Sequence, residues 1–518
     1  MMNLKLHRSV GYSEQEIQSL SNLSDSLLFE LLEAQESFVN NTLKLSKDML
    51  NELALVTAEF FEDIILDIGI WRSLEDYNKK FFNTPLPFFL KPGEELTEEN
   101  LYKKRIQYLL WNKYSEFMPS LILSPTHRDL DSISNKLAEY IIKKKDSSLL
   151  KESSIKSLFN QSDQYGWHVK RKLLWLGQHS YLFRHSYEEY LLANEGKSKI
   201  SVIDDFVCQN TTRWSGLGVI DILASVLNIS NKQRIELCGW YERHLAYYLI
   251  KSIQGHLVSA ENIISNKKYS IRMGEQSGLF KVGHIYVGSL VQWNKEWYWS
   301  GQQSYLGQVS QKMIEKIRSE FIEKSALIVY RYCKSLLERA KERIRVHYQN
   351  FVKFHGDDIV IFPDGYSMAA SVQKQYRLEY EAGPQNIVKK IMKNKNLKNP
   401  WPNYSYPESL LESENGIGLF FNPNEGQEIM REFDDIVNGL KKKGENLSEN
   451  EIDCIKGFIE SEAISPDFVK KMVNKYGSQS IAESYLFRDT ENFDFLTYLL
   501  KRYKGQYFRN RYPNISFN

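Results

Sequence analysis

The chain has 518 residues, of which 42% are hydrophobic and 25% are charged, so a mostly disordered protein is excluded. Lys and Arg number 67 against 65 Asp and Glu, and the net charge of +2 excludes a protein that coats nucleic acid along its whole length. Aromatic residues make up 13% of the chain, which supplies large rings for a core or for a binding surface.

The N-terminal residues lack the apolar core of a signal peptide, and no run of about 18 apolar residues predicts a membrane span. The four cysteines are far apart and form no CxxC pair, which argues against a zinc ribbon or a disulfide framework. Phosphate-binding loops and the HExxH and GxSxG motifs are absent as well, so we expect no cofactor. These features predict a cytoplasmic protein without membrane contact, and its abundant Lys, Asn and Ile are typical of low-GC bacteria.

Hydrophobic periodicity predicts a mainly α fold with a small inserted β-barrel or β-hairpin region, that is, a multi-domain α+β protein. Five regions are expected. They are a helical N-terminal domain with a long amphipathic helix (1–150), a helical domain (151–265), a β-rich insert flanking a long basic helix (266–383), a charged linker-like segment (384–445) and a helical C-terminal domain with a basic aromatic tail (446–518).

In the first region, apolar residues at helical spacing from about Ser24 to Phe60 predict one long helix, after a cap at Ser13. Further on, His127, Asp129 and Asp131 have an HxDxD spacing that would suit a divalent metal if they lay on a loop. The alternative, which the sequence favours, is a helix start, where acids are stabilised by the helix dipole without any metal.

A short segment of the second region resembles the core positions of a bacterial helix-turn-helix: Ala224, Leu227, Ile229 and Ser230. Arg234 stands where that family has an apolar residue, so the sequence favours an ordinary helical hairpin. Its second helix is expected to reach Ile250, and we infer no DNA binding from it.

Residues 268–305 change to a period of two, which predicts strands joined at Asn294-Lys295 and folded into a small SH3-like barrel. Three tryptophans there are candidate binding residues: Trp293, Trp297 and Trp299. Because successive side chains on a strand alternate between faces, at least one large ring is expected on the solvent side, where it would bind a peptide or unpaired bases. The alternative, which the sequence favours, is that the rings cover neighbouring helices.

A long helix is predicted from about Ser310 to Asn350, followed by a second hairpin over residues 351–373. This hairpin carries four candidate catalytic residues: His355, Asp357, Asp358 and Asp364. Pro363-Asp364 resembles the start of the PD-(D/E)xK nuclease motif, which needs a carboxylate and a lysine two residues on. Neither Glu379 nor Glu381 has that lysine, and a hairpin turn accounts for Pro363 and Asp364.

Two adjoining blocks of opposite charge follow, with five lysines and no acid in 384–403 and eight acids and one arginine in 404–435. The last 22 residues are basic and aromatic without an acid, and supply further candidate binding residues: Lys501, Arg502, Tyr503, Lys504, Arg509 and Arg511. Such a tail suits phosphate contacts with base stacking. It also suits a clasp onto the acidic 404–435 block, and the sequence favours this clasp or a protein partner.

Two classes of function follow. The preferred one is a non-catalytic intracellular binding protein, as a subunit of a larger protein or protein–nucleic-acid assembly, with a protein partner favoured over nucleic acid. The alternative is a metal-dependent hydrolase or nuclease that uses His127, Asp129 and Asp131 or the cluster from His355 to Asp364.

Overall fold

The computed structural model of the protein describes residues 2–38, 43–144, 150–196, 199–243, 245–274, 278–324, 326–395, 399, 401, 405–487 and 494–515. The chain forms two compact units, Met1–Ile314 with Leu486–Gln506 and Glu315–Tyr485 with Tyr507–Asn518. The expected mainly α fold with a small β region is confirmed, since 58% is helical beside a closed five-stranded barrel and a three-stranded sheet. In the described part of the chain, none of the helices combines the length and apolarity that crossing a bilayer requires.

The helices before the barrel are α1 (Met2–Leu6), α2 (Glu14–Glu36), α3 (Lys47–Leu66), α4 (Ile70–Phe82), α5 (Leu101–Phe117), α6 (Arg128–Lys144), α7 (Ser154–Phe159), α8 (Gly166–His179), α9 (Arg184–Ala193), α10 (Ile200–Gln209), α11 (Val219–Val226) and α12 (Asn231–Cys238). The cap at Ser13 is confirmed, because its hydroxyl accepts the Glu16 N–H at 3.0 Å. The single long helix over residues 24–60 is wrong, because α2 ends and α3 packs beside it. Ser46 starts α3 by accepting the Met49 N–H at 3.3 Å.

Buried charges join these helices. Arg8, which follows α1, donates to Glu59 and Glu62 of α3 at 2.8 and 2.6 Å and to Glu16 of α2 at 3.4 Å. Arg184, at the start of α9, donates to the second oxygen of Glu59. All five side chains are at most 3% exposed, so each charge is compensated by protein rather than by water. We call Arg8, Glu16, Glu59, Glu62 and Arg184 the buried ion cluster.

The barrel consists of β1 (Ala246–Gln254), β2 (Leu257–Asn262), β3 (Lys268–Arg272), β4 (His284–Trp293) and β5 (Glu296–Gln308), in the order β1-β2-β3-β5-β4. Its strands pair antiparallel except for β3 and β5, which run parallel at Ile271 and Trp297, and β4 closes the barrel on β1. The small barrel is therefore confirmed. Its order is that of the five-stranded Greek-key barrel known as the OB-fold, and the SH3-like expectation is corrected by the parallel β3–β5 contact.

The second helix of the expected hairpin is shorter than predicted, since α12 ends at Cys238 and β1 begins at Ala246. From Ala246 onward the burial alternates, with Ala246, Tyr248 and Ile250 buried inside the barrel. This period of two is incompatible with a helix packed along one face. The turn between β4 and β5 is at Asn294-Lys295 as predicted, with positive φ at both residues.

One buried carboxylate attaches the barrel to the helices of the first unit. Asp204 of α10 accepts the Ser300 hydroxyl of β5 at 2.6 Å and pairs with Lys170 of α8 and with Arg243. Burial alone would raise the pKa of Asp204, but the two cations beside it hold that pKa below its usual value. The barrel is thus fixed against α8 and α10.

The rest of the chain forms α13 (Gln311–Lys324), α14 (Ala326–Tyr332), α15 (Lys334–His355), β6 (Ile359–Phe362), α16 (Gly365–Ala382), α17 (Gln385–Lys395), α18 (Glu408–Leu411), β7 (Ile417–Asn422), β8 (Gly426–Arg431), α19 (Phe433–Lys441), α20 (Glu449–Glu460), α21 (Pro466–Tyr476), α22 (Gln479–Ser484) and α23 (Phe495–Lys504). The hairpin expected over 351–373 is wrong, because residues 351–355 end α15 and Asp364 caps α16. Strand β6 instead pairs with β7, and β7 pairs with β8. Strands β7 and β8 both lie in the 384–445 segment that was expected to be linker-like.

Candidate functional site

The predicted aromatic hairpin is mostly turned inward. Trp293 is 0% exposed, and its indole N–H donates to the Asp163 carbonyl at 2.6 Å. Trp293 is therefore a structural anchor of β4 against the segment before α8, and its expected role as an exposed binding residue is corrected. Tyr298, which points the opposite way from Trp297 and Trp299, is buried against Gly166 at the start of α8. The closeness of that ring leaves no room for a Cβ at Gly166.

Trp297 and Trp299 are half-buried and contact residues of the barrel interior. The ring of Trp297 lies edge-on to Tyr269 at 4.8 Å, and the ring of Trp299 lies edge-on to Tyr248 at 5.4 Å. Phe280, from the β3–β4 connection, stacks over Trp299 at 5.9 Å. Trp299 is thus enclosed, whereas Trp297 lies at the seam where β3 meets β5.

Two further rings, from the residues around the start of α8, lie on the face that carries Tyr298, opposite to Trp297. Tyr165 and Trp167 stack with their centroids 4.6 Å apart, and Trp167 is 41% exposed. The Arg272 guanidinium of β3 lies 5.7 Å from the Tyr165 ring, which is within cation–π range. Glu296 holds Arg272 in place with a bidentate pair, and this hydrogen bonding lowers the pKa of Glu296.

A second cation lies on the Trp297 face of the seam. The exposed Lys267 ammonium is 5.2 Å from the ring of Trp297 and 5.2 Å from the ring of Tyr269. Burial of the Tyr269 hydroxyl raises its pKa to about 12, so this ring stays neutral beside the lysine. We call Tyr165, Trp167, Lys267, Arg272 and Trp297 the β3–β5 rim, in which Tyr165, Trp167 and Arg272 lie on the face that carries Tyr298, and Lys267 and Trp297 lie on the opposite face. It combines stacked rings with two cations at the edge of a rigid barrel.

The β4–β5 turn next to the rim is fixed by neighbouring helices. Glu236 of α12 accepts the backbone N–H groups of Asn294 and Lys295 at 2.7 and 3.2 Å, and the Asn294 amide donates to the Gln164 carbonyl at 3.0 Å. The Lys295 side chain remains exposed. Residues 245–308 contain six basic and three acidic residues, so the barrel is positive in a nearly neutral chain.

The basic tail does not form an exposed surface in its first part. Lys501, Arg502 and Lys504 are at most 5% exposed, on or at the end of α23 in the first unit. Arg502 donates to the Asn112 side chain at 2.6 Å and to the Arg213 carbonyl at 2.9 Å, and the Arg213 guanidinium lies 6.0 Å from the half-buried Tyr503 ring. Lys501, Arg502 and Lys504 are core residues, so the interpretation of these three cations as phosphate-binding residues is corrected.

The end of the tail belongs to the second unit. Arg511 makes a bidentate pair with Glu425, with its closest N–O distance at 2.6 Å, and the Asn514 N–H donates to the Glu425 carbonyl at 2.7 Å. Glu425 lies in the acidic 404–435 block, so Arg511 makes the clasp that the sequence favoured. Arg509 is half-buried and also has interaction partners.

The four candidate catalytic residues of the second unit have separate structural roles. Asp364 caps α16 through the Ser367 N–H at 2.6 Å, and this hydrogen bond lowers its pKa. Asp357 accepts the N–H of Asp358 at 2.7 Å. Asp358 itself pairs with Lys471, and His355 contacts the Gln375 amide at 3.2 Å. The four do not converge on one point.

The HxDxD residues lie at the start of α6, as the favoured alternative predicted. The His127 ring accepts the Asp129 N–H at 3.2 Å, and Asp131 pairs with Lys103 at 2.8 Å. Asp129 is 6% exposed in the first turn. Within the described residues, no three His, Cys, Asp or Glu side chains converge as metal ligands.

Comparison with known proteins gives one match. A family model described as "Protein of unknown function (DUF3843)" matches residues 27–203, about a third of the 518 residues. The chain is similar to this family over helices of the first unit, and the match ends before the barrel. No curated protein and no solved structure matches the chain.

Proposed function

We propose that this is a non-catalytic intracellular protein that binds single-stranded nucleic acid along the β3–β5 rim of its barrel. The observation that carries the proposal is the stacked Tyr165–Trp167 pair beside Arg272, on a barrel whose strand order is that of the OB-fold. Barrels of this order bind oligonucleotides and oligosaccharides on the face of strands 2 and 3 and on the adjoining loops. The positive charge of the barrel favours the polyanion among these ligands.

The chemistry of the rim suits an unpaired strand. Every base has a flat π-face, so a partly exposed ring such as Trp167 provides a stacking platform that does not depend on sequence. Lys267 lies over the Trp297 ring and Arg272 follows Ile271 of the β3–β5 contact, so both can supply cations for phosphates. A duplex would hide its base faces inside its own stack, and we therefore expect single strands to bind better than duplexes.

The test is fluorescence anisotropy with a labelled oligothymidylate of about 16 nucleotides, the upper end of the site size of such a barrel. Trp167→Ala is expected to weaken binding by about fivefold to a hundredfold, because one stacked base is worth about 1–3 kcal/mol. Tyr366→Ala is the matched control, since Tyr366 is also exposed, at 60%, but lies in the second unit. It should leave the affinity unchanged.

The salt dependence tests the cation separately. Lys267→Ala should reduce the slope of log affinity against log salt by about 0.7, the value for one lost phosphate contact on a single strand. Lys353→Ala, at an exposed lysine of α15, should leave the slope as it is. The proposal fails if the wild-type protein does not bind the oligonucleotide at low salt, or if each control reduces binding as much as its partner.

A further inference from the structure

The hydrogen-bonding fork of Arg272, in the β3–β5 rim, is already occupied by a carboxylate of the same barrel. The Nε and Nη2 groups of Arg272 donate to the two oxygens of Glu296, and the Nη2–Oε1 distance is 2.6 Å. These two donors bind a carboxylate or a phosphate in the same bidentate geometry. Glu296 therefore lies where a phosphate of a bound strand would make a bidentate contact with Arg272.

The Glu296 carboxylate is held in this position by the barrel. The Tyr298 hydroxyl donates to its Oε2 atom at 3.0 Å. Glu296 is also the first residue of β5, directly after the β4–β5 turn whose backbone N–H groups are bound by Glu236. Because this attachment keeps the carboxylate at a high effective concentration beside the guanidinium, a phosphate from solution must compete with it.

The guanidinium of Arg272 has a second contact that does not involve Glu296. Its central carbon lies 5.7 Å from the Tyr165 ring, and Tyr165 stacks on Trp167. The side chains of Arg272 and Glu296 are 27% and 28% exposed, so both are accessible to a strand that stacks on these rings. Removal of the carboxylate should leave Arg272 beside the rings with its fork open.

We propose that Glu296 is an intramolecular competitor of phosphate at Arg272 and that it limits the affinity of the rim for single-stranded nucleic acid. This role rests on the function proposed for the rim. The opposite charges of the pair largely cancel at a distance, so Arg272 adds less to phosphate binding than an unpaired cation would. The contact between Arg272 and Glu296 is in this sense autoinhibitory.

The test measures the affinity of the full-length protein for a labelled oligothymidylate of about 16 nucleotides at several salt concentrations. Glu296→Ala is expected to bind about twofold to fivefold more tightly than the wild type, the range for an exposed ion pair that no longer has to be broken. The slope of log affinity against log salt should become steeper by up to about 0.7, the value for one added phosphate contact. Glu296→Gln, which keeps the size of the side chain without its charge, should change both quantities in the same direction.

Two controls separate this contact from the overall charge of the barrel. Glu261 lies on β2 and pairs at 3.3 Å with Lys251, which is not part of the rim. Glu261→Ala changes the charge of the barrel by the same amount, and it should raise the affinity less than Glu296→Ala does. Arg272→Ala should weaken binding more in the Glu296→Ala protein than in the wild-type protein, because the fork is open only in the former.

The role of Glu296 is wrong if both Glu296 variants bind the strand no more tightly than the wild type. It is also wrong if Glu261→Ala strengthens binding as much, or if Arg272→Ala has the same effect in both backgrounds. In these cases a wild-type protein whose binding depends on Trp167 leaves the proposed function in place. If neither the wild type nor Glu296→Ala binds the oligothymidylate, the proposed function fails and the role of Glu296 fails with it.

Discussion

The buried ion cluster and the β3–β5 rim both place arginines beside carboxylates, but in opposite surroundings. In the cluster, Arg8 and Arg184 are at most 3% exposed, and Glu16, Glu59 and Glu62 are buried with them. In the rim, Arg272 and its partner Glu296 are each more than a quarter exposed, and Arg272 lies beside the Tyr165 ring that stacks on the exposed Trp167. Water therefore cannot compensate the charges of the buried ion cluster, whereas it does compensate those of the rim.

This difference in exposure predicts different roles for the two regions, in the stability of the fold and in the binding of a ligand. A buried charge must be paired, so removing one partner leaves the others uncompensated in a medium of low polarity. A half-exposed pair contributes little to stability, and its cation remains available to an incoming phosphate. The cluster is therefore expected to hold the fold, and the rim is expected to hold a ligand.

The largest effect is expected from Arg184→Met. It leaves the buried Glu59 with Arg8 as its remaining partner and removes the partner of the partly exposed Glu52, and it should lower the free energy of unfolding by about 3–5 kcal/mol in urea titrations. Arg72→Met is the control, because its pair with Asp67 is 60% and 67% exposed and is worth about 1 kcal/mol at most. Equal losses in the two variants would contradict the contrast between buried and exposed charges.

A smaller effect is expected from pH. Burial and the nearby Arg184 lower the pKa of His7 to about 4, and burial lowers that of His179. In the unfolded chain both rings take up protons near pH 6.5, so the unfolded state binds more protons below that pH. The stability that the neutral rings contribute is present above pH 6.5 and is lost as the pH falls toward 4.

The matching measurement is the free energy of unfolding of wild type and His7→Gln between pH 7 and about pH 4. This range spans the pKa of His7 in the unfolded chain and its lowered pKa in the folded protein. The variant should lose stability less steeply than the wild type. His256→Gln, at an exposed histidine of the barrel, should follow the wild type. If the free energy of unfolding falls with pH at the same rate in all three proteins, the lost stability does not come from His7.

Local signals in the sequence predicted local structure well. The predicted cap at Ser13 is present, because a cap involves residues three positions apart. The alternation over 268–305 likewise predicted strands, and the Asn294-Lys295 turn lies where expected. These features depend on neighbours along the chain, and the sequence shows those neighbours directly.

Long-range contacts could not be predicted in the same way. Trp293 is buried by Asp163, which lies 130 positions earlier, and Arg502 is buried by Asn112, which lies 390 positions earlier. Strand β6 pairs with β7 rather than with the residues that follow it. No spacing rule connects such partners, so an aromatic or basic cluster in sequence does not show whether it faces solvent.

The rim was missed for the same reason. Tyr165 and Trp167 precede Arg272 and Tyr298 by more than a hundred residues, and the packing of α8 against β5 brings them together. The signal that the sequence does contain is the closeness of two aromatic residues, Tyr165 and Trp167, at the start of the second helical region. The three tryptophans of the β4–β5 hairpin were predicted as binding residues instead.

Photo-crosslinking tests the central claim most directly. A single strand that contains a photoreactive thymidine analogue is irradiated with the full-length protein, and the crosslinked peptides are identified by mass spectrometry. Crosslinks at Tyr165, Trp167 or Trp297 that disappear in excess unlabelled single strand are the expected result. Crosslinks confined to residues 501–511 or to the second unit, or no competed crosslink at all, would contradict the assignment of the rim as the binding surface.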